Sequence, residues 1–308
     1  MGALGIMMLR RGTMANPIAG SDYILSDTRG DAEVFRILMS KGVSSDGVGI
    51  TKEDAAKVTS IGTWFKGNTA IVSFDELIYF TSVTKLENGA FQGCTALRSI
   101  DLGNVSSLGS DAFNKSGLEA VISVGAVTYI SSNSFLECRS LKAFPFPISV
   151  TTVQYRAFYF CSAMGGDVYL PNATSFGVGA FAGTAIESLI IPKATTITGS
   201  LCSSCPQLKR IDISGATTIE SSICSDCVSL QKAELGENVT SIGWRAFYNC
   251  SSLQYVICRA ITPPSLSAQA FGSSCPIYVP DDSVDAYKAA SGWSSYASRI
   301  QPLSSYTE

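Results

Sequence analysis

An internal repeat runs through most of this 308-residue chain. The copy at residues 83–104 reads VTKLENGAFQGCTALRSIDLGN, and related units of 21 to 25 residues begin near residues 58, 83, 105, 127, 150, 173, 194, 216 and 239. A fixed period in this range is typical of a solenoid, in which each unit forms one coil and contacts only its neighbours. The size limit on a single globular core therefore does not apply, and the chain need not form two domains.

Within each unit the apolar positions follow the pattern V-T-x-I-x-x-x-A-F-x-x-C-x-x-L-x-x-I-x-L. The LxxIxL part predicts a short strand in which two alternating side chains point inward. One coil cannot bury its own apolar face, but stacked coils bury one another's. The sequence thus predicts a β-rich solenoid of about nine coils with short parallel strands.

Both ends of the chain depart from the repeat, as expected where an open solenoid end must be covered. The segment DAEVFRILMS, residues 31–40, predicts a short amphipathic helix with Val34, Ile37 and Leu38 on one face. Near the other end, a helix is predicted at about residues 282–291, followed by an extended segment at RIQPL. The predicted organisation is an N-terminal arm at 1–30, a small helical N-terminal cap at 31–57, the solenoid at 58–261, and a degenerate last coil with a short C-terminal capping segment at 262–308.

Composition narrows the class of partner. Hydrophobic residues make up 46% of the chain and charged residues 15%, with a net charge of -3 and no long basic run. Nucleic-acid binding needs clustered Lys and Arg, so the sequence argues against nucleic acid. No apolar run approaches the roughly 20 residues that span a bilayer, which argues against membrane insertion.

The first 20 residues, MGALGIMMLRRGTMANPIAG, place their apolar stretch before Arg10 and Arg11. A secretory signal has the reverse order, with positive charge preceding the apolar region. No conventional signal peptide is evident. Two interpretations stay open: a trimmed or misassigned start, or a protein that reaches its working place without conventional secretion.

Six of the ten cysteines occupy one position of the repeat, three residues after the Phe position. They are Cys94, Cys138, Cys161, Cys205, Cys227 and Cys250. This regularity indicates a structural role, because a small, soft side chain suits a tight turn beside the stacked core.

The segments CSSC at 202–205 and CSDC at 224–227 together match, formally, the spacing of a four-cysteine zinc site. However, Cys202 and Cys224 fall at the position that Phe occupies in other units. The sequence therefore predicts that Cys202, Cys205, Cys224 and Cys227 are buried thiols, with a metal site or a disulfide as the open alternatives. We expect no bound metal and no cofactor.

Catalytic groups are few. The chain contains no histidine, which excludes His-based triads and His general bases. Carboxylate pairs remain possible, and the candidates are Asp212, Glu234, Asp281 and Asp282. Asp212 and Glu234 lie between two inward positions of a predicted strand, where a side chain faces solvent. We predict that the protein is not an enzyme, with a glycan-cleaving enzyme as the least favoured alternative.

The outward positions of the stacked strands should form one face. Down the stack they read Asp101, Ile122, Pro145, Tyr169, Ile190, Asp212, Glu234 and Ile257. Exposed apolar side chains rimmed by polar groups mark interaction sites more often than chance. We therefore predict a binding surface that includes Ile122, Tyr169, Ile190, Asp212 and Glu234.

The units resemble the cysteine-containing leucine-rich repeats of BspA-like proteins. The segment IYVPDDSVDAYKAASGWSSYASRIQPL is similar to a terminal segment of such proteins from gut Bacteroidetes and their phages or mobile elements, and ITKEDAAKVTSI resembles their helical lead-in. The resemblance covers about residues 31–303 and implies a leucine-rich-repeat solenoid. It also implies non-enzymatic recognition, namely adhesion to host matrix, to other cells or to surface glycans.

The order of charge and apolar residues at the N-terminus suggests a second setting. A phage particle assembles in the cytoplasm and is released by lysis, so its receptor-binding or decoration proteins need no signal peptide. Residues 1–20 would then form an arm that docks on a neighbouring virion subunit by strand addition or groove packing. The expected location is a virion or the extracellular space and cell surface, and the expected partner is a protein or a surface glycan.

Overall fold

A computed structural model describes residues 22–272 and 274–307. They form a solenoid of about ten coils with short parallel strands and few helices, which confirms the predicted leucine-rich-repeat fold. No helix within these ranges is long and apolar enough to cross a membrane. Residues 1–21, which include most of the predicted N-terminal arm, lie outside the described residues.

The longer strands of successive coils pair in parallel, and we call this series the long ladder. Its strands are Ser73–Phe74, Ser99–Leu102, Ala120–Val124, Gly165–Tyr169, Ala185–Ile190, Arg210–Ile213, Lys232–Leu235, Tyr255–Cys258, Ile277–Val279 and Ile300–Pro302. The first three form one sheet and the last seven another. Between them, the coil that carries Pro145 and Pro147 contributes only an isolated bridge from Ala143 to Ala120, because proline has no N–H to donate to a ladder.

Each coil also contributes a two-residue strand to a second series, the short ladder. Its strands are Lys85–Leu86, Ser107–Leu108, Tyr129–Ile130, Thr152–Val153, Ser175–Phe176, Thr196–Ile197, Thr218–Ile219, Ser241–Ile242 and Ser265–Leu266. In both ladders, inward side chains such as Ile211 and Ile219 are buried, while their neighbours Arg210 and Thr218 are not. Alternation along each strand therefore directs apolar residues into the core, as the repeat pattern predicts.

A column of phenylalanine rings fills the core between the two ladders. Neighbouring ring centroids lie 5.1–5.6 Å apart, and the ring planes are parallel to within 10°. The rings are those of Phe65, Phe91, Phe113, Phe135, Phe158 and Phe181. The column stops at Cys202 and Cys224 and resumes with Phe247 and Phe271, whose centroids lie 5.8 Å apart.

Most coils turn through two residues with positive φ, one before the Ala-Phe pair and one before the Cys position. The first series runs Gly89, Asp111, Asn133, Arg156, Gly179, Ser200, Ser222, Arg245 and Gln269. A non-glycine residue in this left-handed region costs roughly 1 kcal/mol or more. The backbone takes this conformation with Gly, Asp, Asn, Arg, Ser or Gln at the position. The stacking of the coils therefore imposes the conformation, and the residue type at the position varies.

The N-terminal cap is a two-stranded antiparallel sheet with two helices. Strand Tyr23–Leu25 pairs with Ile50–Thr51, and the helices are α1 (Ala32–Ser40) and α2 (Lys52–Lys57). The α1 helix buries Val34, Ile37 and Leu38, the face predicted from the sequence. Asp31 caps α1 through backbone N–H groups of Glu33 and Val34. Its second carboxylate oxygen accepts N–H bonds from Val72 and Ser73, which joins the cap to the first coil.

The C-terminal segment closes the opposite end. After strand Ile277–Val279 come the 3-10 turn Asp281–Ser283, helix α3 (Val284–Ala289), the 3-10 helix Ser294–Arg299, strand Ile300–Pro302 and the turn Leu303–Ser305. The cap buries Tyr287 and Trp293 completely. The Tyr287 hydroxyl donates to the Ala260 carbonyl and Trp293 Nε1 donates to the Pro264 carbonyl, both at 2.7 Å. These bonds satisfy the polar atoms of two large buried rings and fix the cap to the last coils.

Candidate functional site

Four of the five predicted binding residues lie side by side on the long ladder. The register pairs Tyr169 with Ile190, Ile190 with Asp212, and Asp212 with Glu234. Tyr169 is 60% exposed and the other three side chains are half-buried. We call these four residues the strand face. It is an open surface with an aromatic side chain at one end and two carboxylates at the other.

The fifth residue, Ile122, is not part of this group. It lies in the three-stranded sheet, at a register shift between Ile100 and Leu102, and is 53% exposed. The Ser123 hydroxyl, rather than Ile122, contacts the Asp101 carboxylate in the preceding coil. The proline-containing coil separates this sheet from Tyr169. The outward positions therefore form two patches instead of one continuous face.

The predicted exposure of Ile257 is wrong, because its side chain is only 2% exposed although it is in register with Glu234. Ile257 pairs with Tyr278 in the ladder, and the ring of Tyr306 packs at 4.8 Å from that of Tyr255 and 5.2 Å from that of Tyr278. The Tyr306 and Tyr255 hydroxyls are hydrogen-bonded at 2.6 Å. The C-terminal segment thus covers this end of the ladder, and the strand face ends at Glu234.

The carboxylates of the strand face are weakly paired. Asp212 Oδ1 accepts the Ser214 backbone N–H at 3.1 Å, and its other oxygen lies 3.9 Å from Arg210. The Glu234 carboxylate lies 3.9 Å from Arg259. Exposed ion pairs of this kind contribute about 0–1 kcal/mol. Both carboxylates therefore stay available to a partner.

The cysteine position of the repeat has a structural role. Its thiol donates to the backbone carbonyl at the Phe position of the preceding coil. The S–H···O distances are 3.0 Å for Cys94 to Phe65, 2.9 Å for Cys138 to Phe113, 3.0 Å for Cys161 to Phe135, 3.2 Å for Cys205 to Phe181, 3.0 Å for Cys227 to Cys202 and 3.1 Å for Cys250 to Cys224. Burial raises the pKa of the Cys94 thiol to about 12, so this group acts as a hydrogen-bond donor and not as a nucleophile.

The two cysteines at the Phe position contact each other. Cys202 Sγ lies 3.1 Å from Cys224 Sγ, and all four cysteines of the CSSC and CSDC segments are buried, which confirms their predicted burial. A hydrogen bond from the Cys224 thiol is the main cause that lowers the pKa of Cys202 to about 7, whereas burial raises the pKa of Cys224. Within the described ranges, no group of three or more His, Cys, Asp or Glu side chains is placed to hold a metal ion.

A compensating exchange of size accompanies these two cysteines. Most coils carry a small residue and then Phe, as at Ala180–Phe181 and Ala246–Phe247, whereas the two coils between them carry Leu201–Cys202 and Ile223–Cys224. All of these residues are fully buried. The larger aliphatic side chain one residue earlier thus fills volume that the missing ring leaves, which preserves core packing density.

Sequence reasoning missed two groups of side chains on the turn edge of the solenoid. Each holds an arginine guanidinium against two aromatic rings: Arg156 with Tyr155 and Tyr159, and Arg245 with Trp244 and Tyr248. The signal was available in the sequence, because QYRAFY and GWRAFY are the only two units with an aromatic-Arg-Ala-Phe-Tyr string.

The stacked coils, the Phe column and the cysteine donors together define a leucine-rich-repeat solenoid. Six copies of the BspA type leucine-rich repeat region match residues 59–172 and 128–254, and the chain belongs to this family. A search of curated proteins finds no match.

Three solved structures resemble the chain. A leucine-rich repeat protein from Bacteroides ovatus is 16% identical over 71% of this chain and 70% of its own, with a TM-score of 0.37. The T. pallidum leucine-rich repeat protein is 22% identical over 56% and 72%, with a TM-score of 0.41. A leucine-rich cell surface protein from Faecalibacterium prausnitzii is 17% identical over 79% and 86%, with a TM-score of 0.30.

Proposed function

We propose that this chain is a non-enzymatic recognition protein that binds a protein or a surface glycan through the strand face. The observation that carries the proposal is the register, which aligns Tyr169, Ile190, Asp212 and Glu234 across four adjacent strands. A rigid sheet holds the backbone that carries these side chains, so binding requires no ordering of the backbone. Exposed tyrosine is enriched among residues that dominate binding energy, so Tyr169 is the expected anchor.

The setting we propose is a phage virion, in which the chain is a tail or capsid-decorating component that helps attach to a Bacteroidetes-type host. A secreted or cell-surface adhesin is the alternative. The resemblance of the repeats and of the C-terminal segment to BspA-like proteins of gut Bacteroidetes and their phages or mobile elements motivates both settings. Deletion of residues 1–20 should abolish incorporation into particles; unchanged incorporation would leave the arm without a role in assembly.

Retention on host surface polysaccharides or host surface protein tests the binding proposal. Tyr169→Ala and Ile190→Ser should each weaken retention about tenfold, the effect of losing one good anchor. Tyr129→Ala is the matched control, because Tyr129 is similarly exposed but lies on the short ladder. Retention that is equal for all three variants, with unchanged thermal unfolding, would refute the strand face as the binding surface.

The register also supports a second candidate, a glycan-cleaving enzyme, because Asp212 and Glu234 are direct ladder partners. Paired carboxylates in such enzymes lie roughly 5 to 10 Å apart. Release of reducing sugar from the same polysaccharides decides between the candidates. Release that disappears with Asp212→Asn or Glu234→Gln establishes the enzyme, and retention without release establishes recognition.

A further inference from the structure

The aromatic–arginine groups of the turn edge are two separate local structures, and we call them the turn clamps. In the first clamp the Arg156 guanidinium lies 4.9 Å from the Tyr155 ring centroid and 4.8 Å from that of Tyr159. In the second, Arg245 lies 4.2 Å from Trp244 and 4.5 Å from Tyr248. Cation–π contacts on both sides restrict a long side chain that would otherwise be mobile.

The backbone fixes both clamps at equivalent positions. Arg156 and Arg245 both adopt left-handed conformations, with φ of 51° and 53°. Their N–H groups donate to the next coil, at Val178 and Ala268. The Phe160 ring adds support to the first clamp, because it packs edge-on against Tyr159 at 4.6 Å and lies over Gly183, where a Cβ would approach the ring to 2.8 Å.

Neither arginine has a carboxylate partner. Within the described residues, no carboxylate oxygen lies within 4 Å of either guanidinium, and Arg245 Nε donates only to the neutral Gln269 at 2.8 Å. Arg98 and Arg139, on the same chain, do form ion pairs. The clamps thus present two preorganised guanidinium groups whose bidentate donors suit an incoming carboxylate.

The turn edge between the clamps, which we call the serine floor, carries a row of serine hydroxyl groups. Backbone hydrogen bonds run from Arg156 through Gly179, Ser200 and Ser222 toward Arg245, so three coils separate the two arginines. At about 4.8 Å for each hydrogen-bonded layer, the arginines lie about 20 Å apart. Five serines with partly or fully exposed side chains lie on this floor: Ser200, Ser203, Ser204, Ser221 and Ser222.

We propose that the two turn clamps and the serine floor form a binding site for an extended acidic polysaccharide, one with uronic acid carboxylates. The guanidinium groups would bind carboxylates, the Tyr155 and Trp244 rings, 41% and 45% exposed, would stack on sugar rings, and the serines would bond to sugar hydroxyls. A row of exposed serine hydroxyls favours a polyhydroxylated ligand over an acidic peptide. This surface is separate from the strand face and the proposal does not depend on it.

Two carboxylates belong to the floor. The Glu220 carboxylate accepts the Gly199 backbone N–H at 2.8 Å, between the two clamps. Asp226 lies near Arg245, and hydrogen bonds from Asn249 and Ser225 lower its pKa. It therefore stays ionised and reduces the positive potential at the second clamp. We expect the first clamp to contribute more to binding an anionic chain than the second, and we expect removal of the Asp226 charge to strengthen binding.

The test uses polygalacturonate oligosaccharides as the acidic probe and their methyl esters as the uncharged probe, in titration calorimetry with the full chain. Arg156→Gly and Arg245→Gly remove each side chain while suiting the left-handed backbone, as Gly89 and Gly179 do in the same column. Arg156→Gly should weaken binding of the acidic probe about tenfold or more, Arg245→Gly by less, and Asp226→Asn should strengthen it. Arg36→Gly is unsuitable as a control because it lies within α1, so Arg36→Ala is the matched arginine control.

The expected pattern is loss of affinity for the acidic probe with both clamp variants, no change with Arg36→Ala, and little effect on the methyl ester. Equal affinity for the two probes, or no binding of the acidic probe at millimolar concentration, would overturn the proposal. Tighter binding of poly-glutamate than of polygalacturonate would also overturn it, by identifying an acidic peptide as the ligand. Binding that Tyr169→Ala abolishes and the clamp variants leave intact would assign the ligand to the strand face and likewise refute the clamp site.

Discussion

The coils between residues 58 and 193 and the two coils between residues 194 and 238 solve the same packing problem in different ways. Most of the first group place a small residue before a stacked phenylalanine, whereas the second group place Leu201 and Ile223 before a cysteine. Both arrangements leave these positions fully buried. The two arrangements show that each coil keeps the side-chain volume of these two core positions nearly constant, while the side chains that supply it change. This is expected for a close-packed core.

The two regions should differ most in what a single truncation costs. In the Phe column, Phe113 stacks on Phe91 and Phe135 at 5.3 and 5.1 Å. Phe113→Ala removes a complete ring from between two others, and we expect a loss of about 3–5 kcal/mol in the free energy of unfolding. Cys224→Ala in the other region removes one sulfur atom and should cost about 1 kcal/mol. Urea unfolding of the two variants measures the difference, and equal losses would contradict the comparison.

Oxidation tests the contact between the two thiols that replace phenylalanine. Cys202 and Cys224 are 22 residues apart and their sulfur atoms lie 3.1 Å apart. Refolding with oxidised glutathione should join them, the two thiols losing two hydrogens while glutathione disulfide is reduced to two thiols. Closure of a loop of this length should stabilise the protein by about 3 kcal/mol. Mass spectrometry should detect the loss of two hydrogens in this peptide pair, and no cross-link should form with Cys224→Ala.

An exchange of side chains tests whether volume alone distinguishes the regions. Cys202→Phe overfills a layer that already contains Leu201, so it should cost about 1–3 kcal/mol. Leu201→Ala alone should also destabilise the protein, because it leaves a cavity. The double variant Leu201→Ala with Cys202→Phe recreates the Ala-Phe pair of the neighbouring coils and should cost much less than the sum of the two. Additive losses in this double-mutant cycle would show that the two residues do not compensate for each other.

Much of this architecture could be predicted from the sequence, because the repeat fixes side-chain direction. The burial of Val34, Ile37 and Leu38 followed from helical periodicity, and the Phe column followed from the register of the units. The same logic was wrong for Ile257, since nothing in its own coil indicates that the distant Tyr306 packs over that end of the ladder. Tyr306 lies far from Ile257 in the sequence, so the pattern of the repeat unit around Ile257 does not predict that the C-terminal segment covers it.

The candidate surfaces were predicted less completely, for physical reasons that differ between them. The strand face required only the period of two, and the structure aligns Tyr169, Ile190, Asp212 and Glu234 accordingly. A register shift and a proline-containing coil separate Ile122 from these four residues. Both interruptions concern hydrogen bonds between coils, which the pattern within one unit does not predict. The QYRAFY and GWRAFY strings mark the two turn clamps in the sequence, but the contacts between their side chains depend on left-handed backbone at Arg156 and Arg245, which these residue types do not indicate.

The smallest expected effect concerns alkaline pH and separates the two kinds of buried thiol. Burial raises the pKa of Cys94 to about 12, above the value of about 8.5 for a thiol in the unfolded chain. The unfolded state therefore ionises first. The stability that Cys94 contributes is complete below about pH 8.5 and declines as the pH rises toward 12, by about 1 kcal/mol at pH 9.

Cys94→Ser introduces the residue that Ser116 supplies at the same position of another coil. In urea unfolding under reducing conditions, this variant should lack the part of the stability decline between pH 7 and pH 9 that Cys94 causes. Cys202→Ser should not, because hydrogen bonds from neighbouring thiols lower the pKa of Cys202 to about 7. If the free energy of unfolding fell equally with pH for wild type and Cys94→Ser, burial would not raise the pKa of the Cys94 thiol in the folded protein.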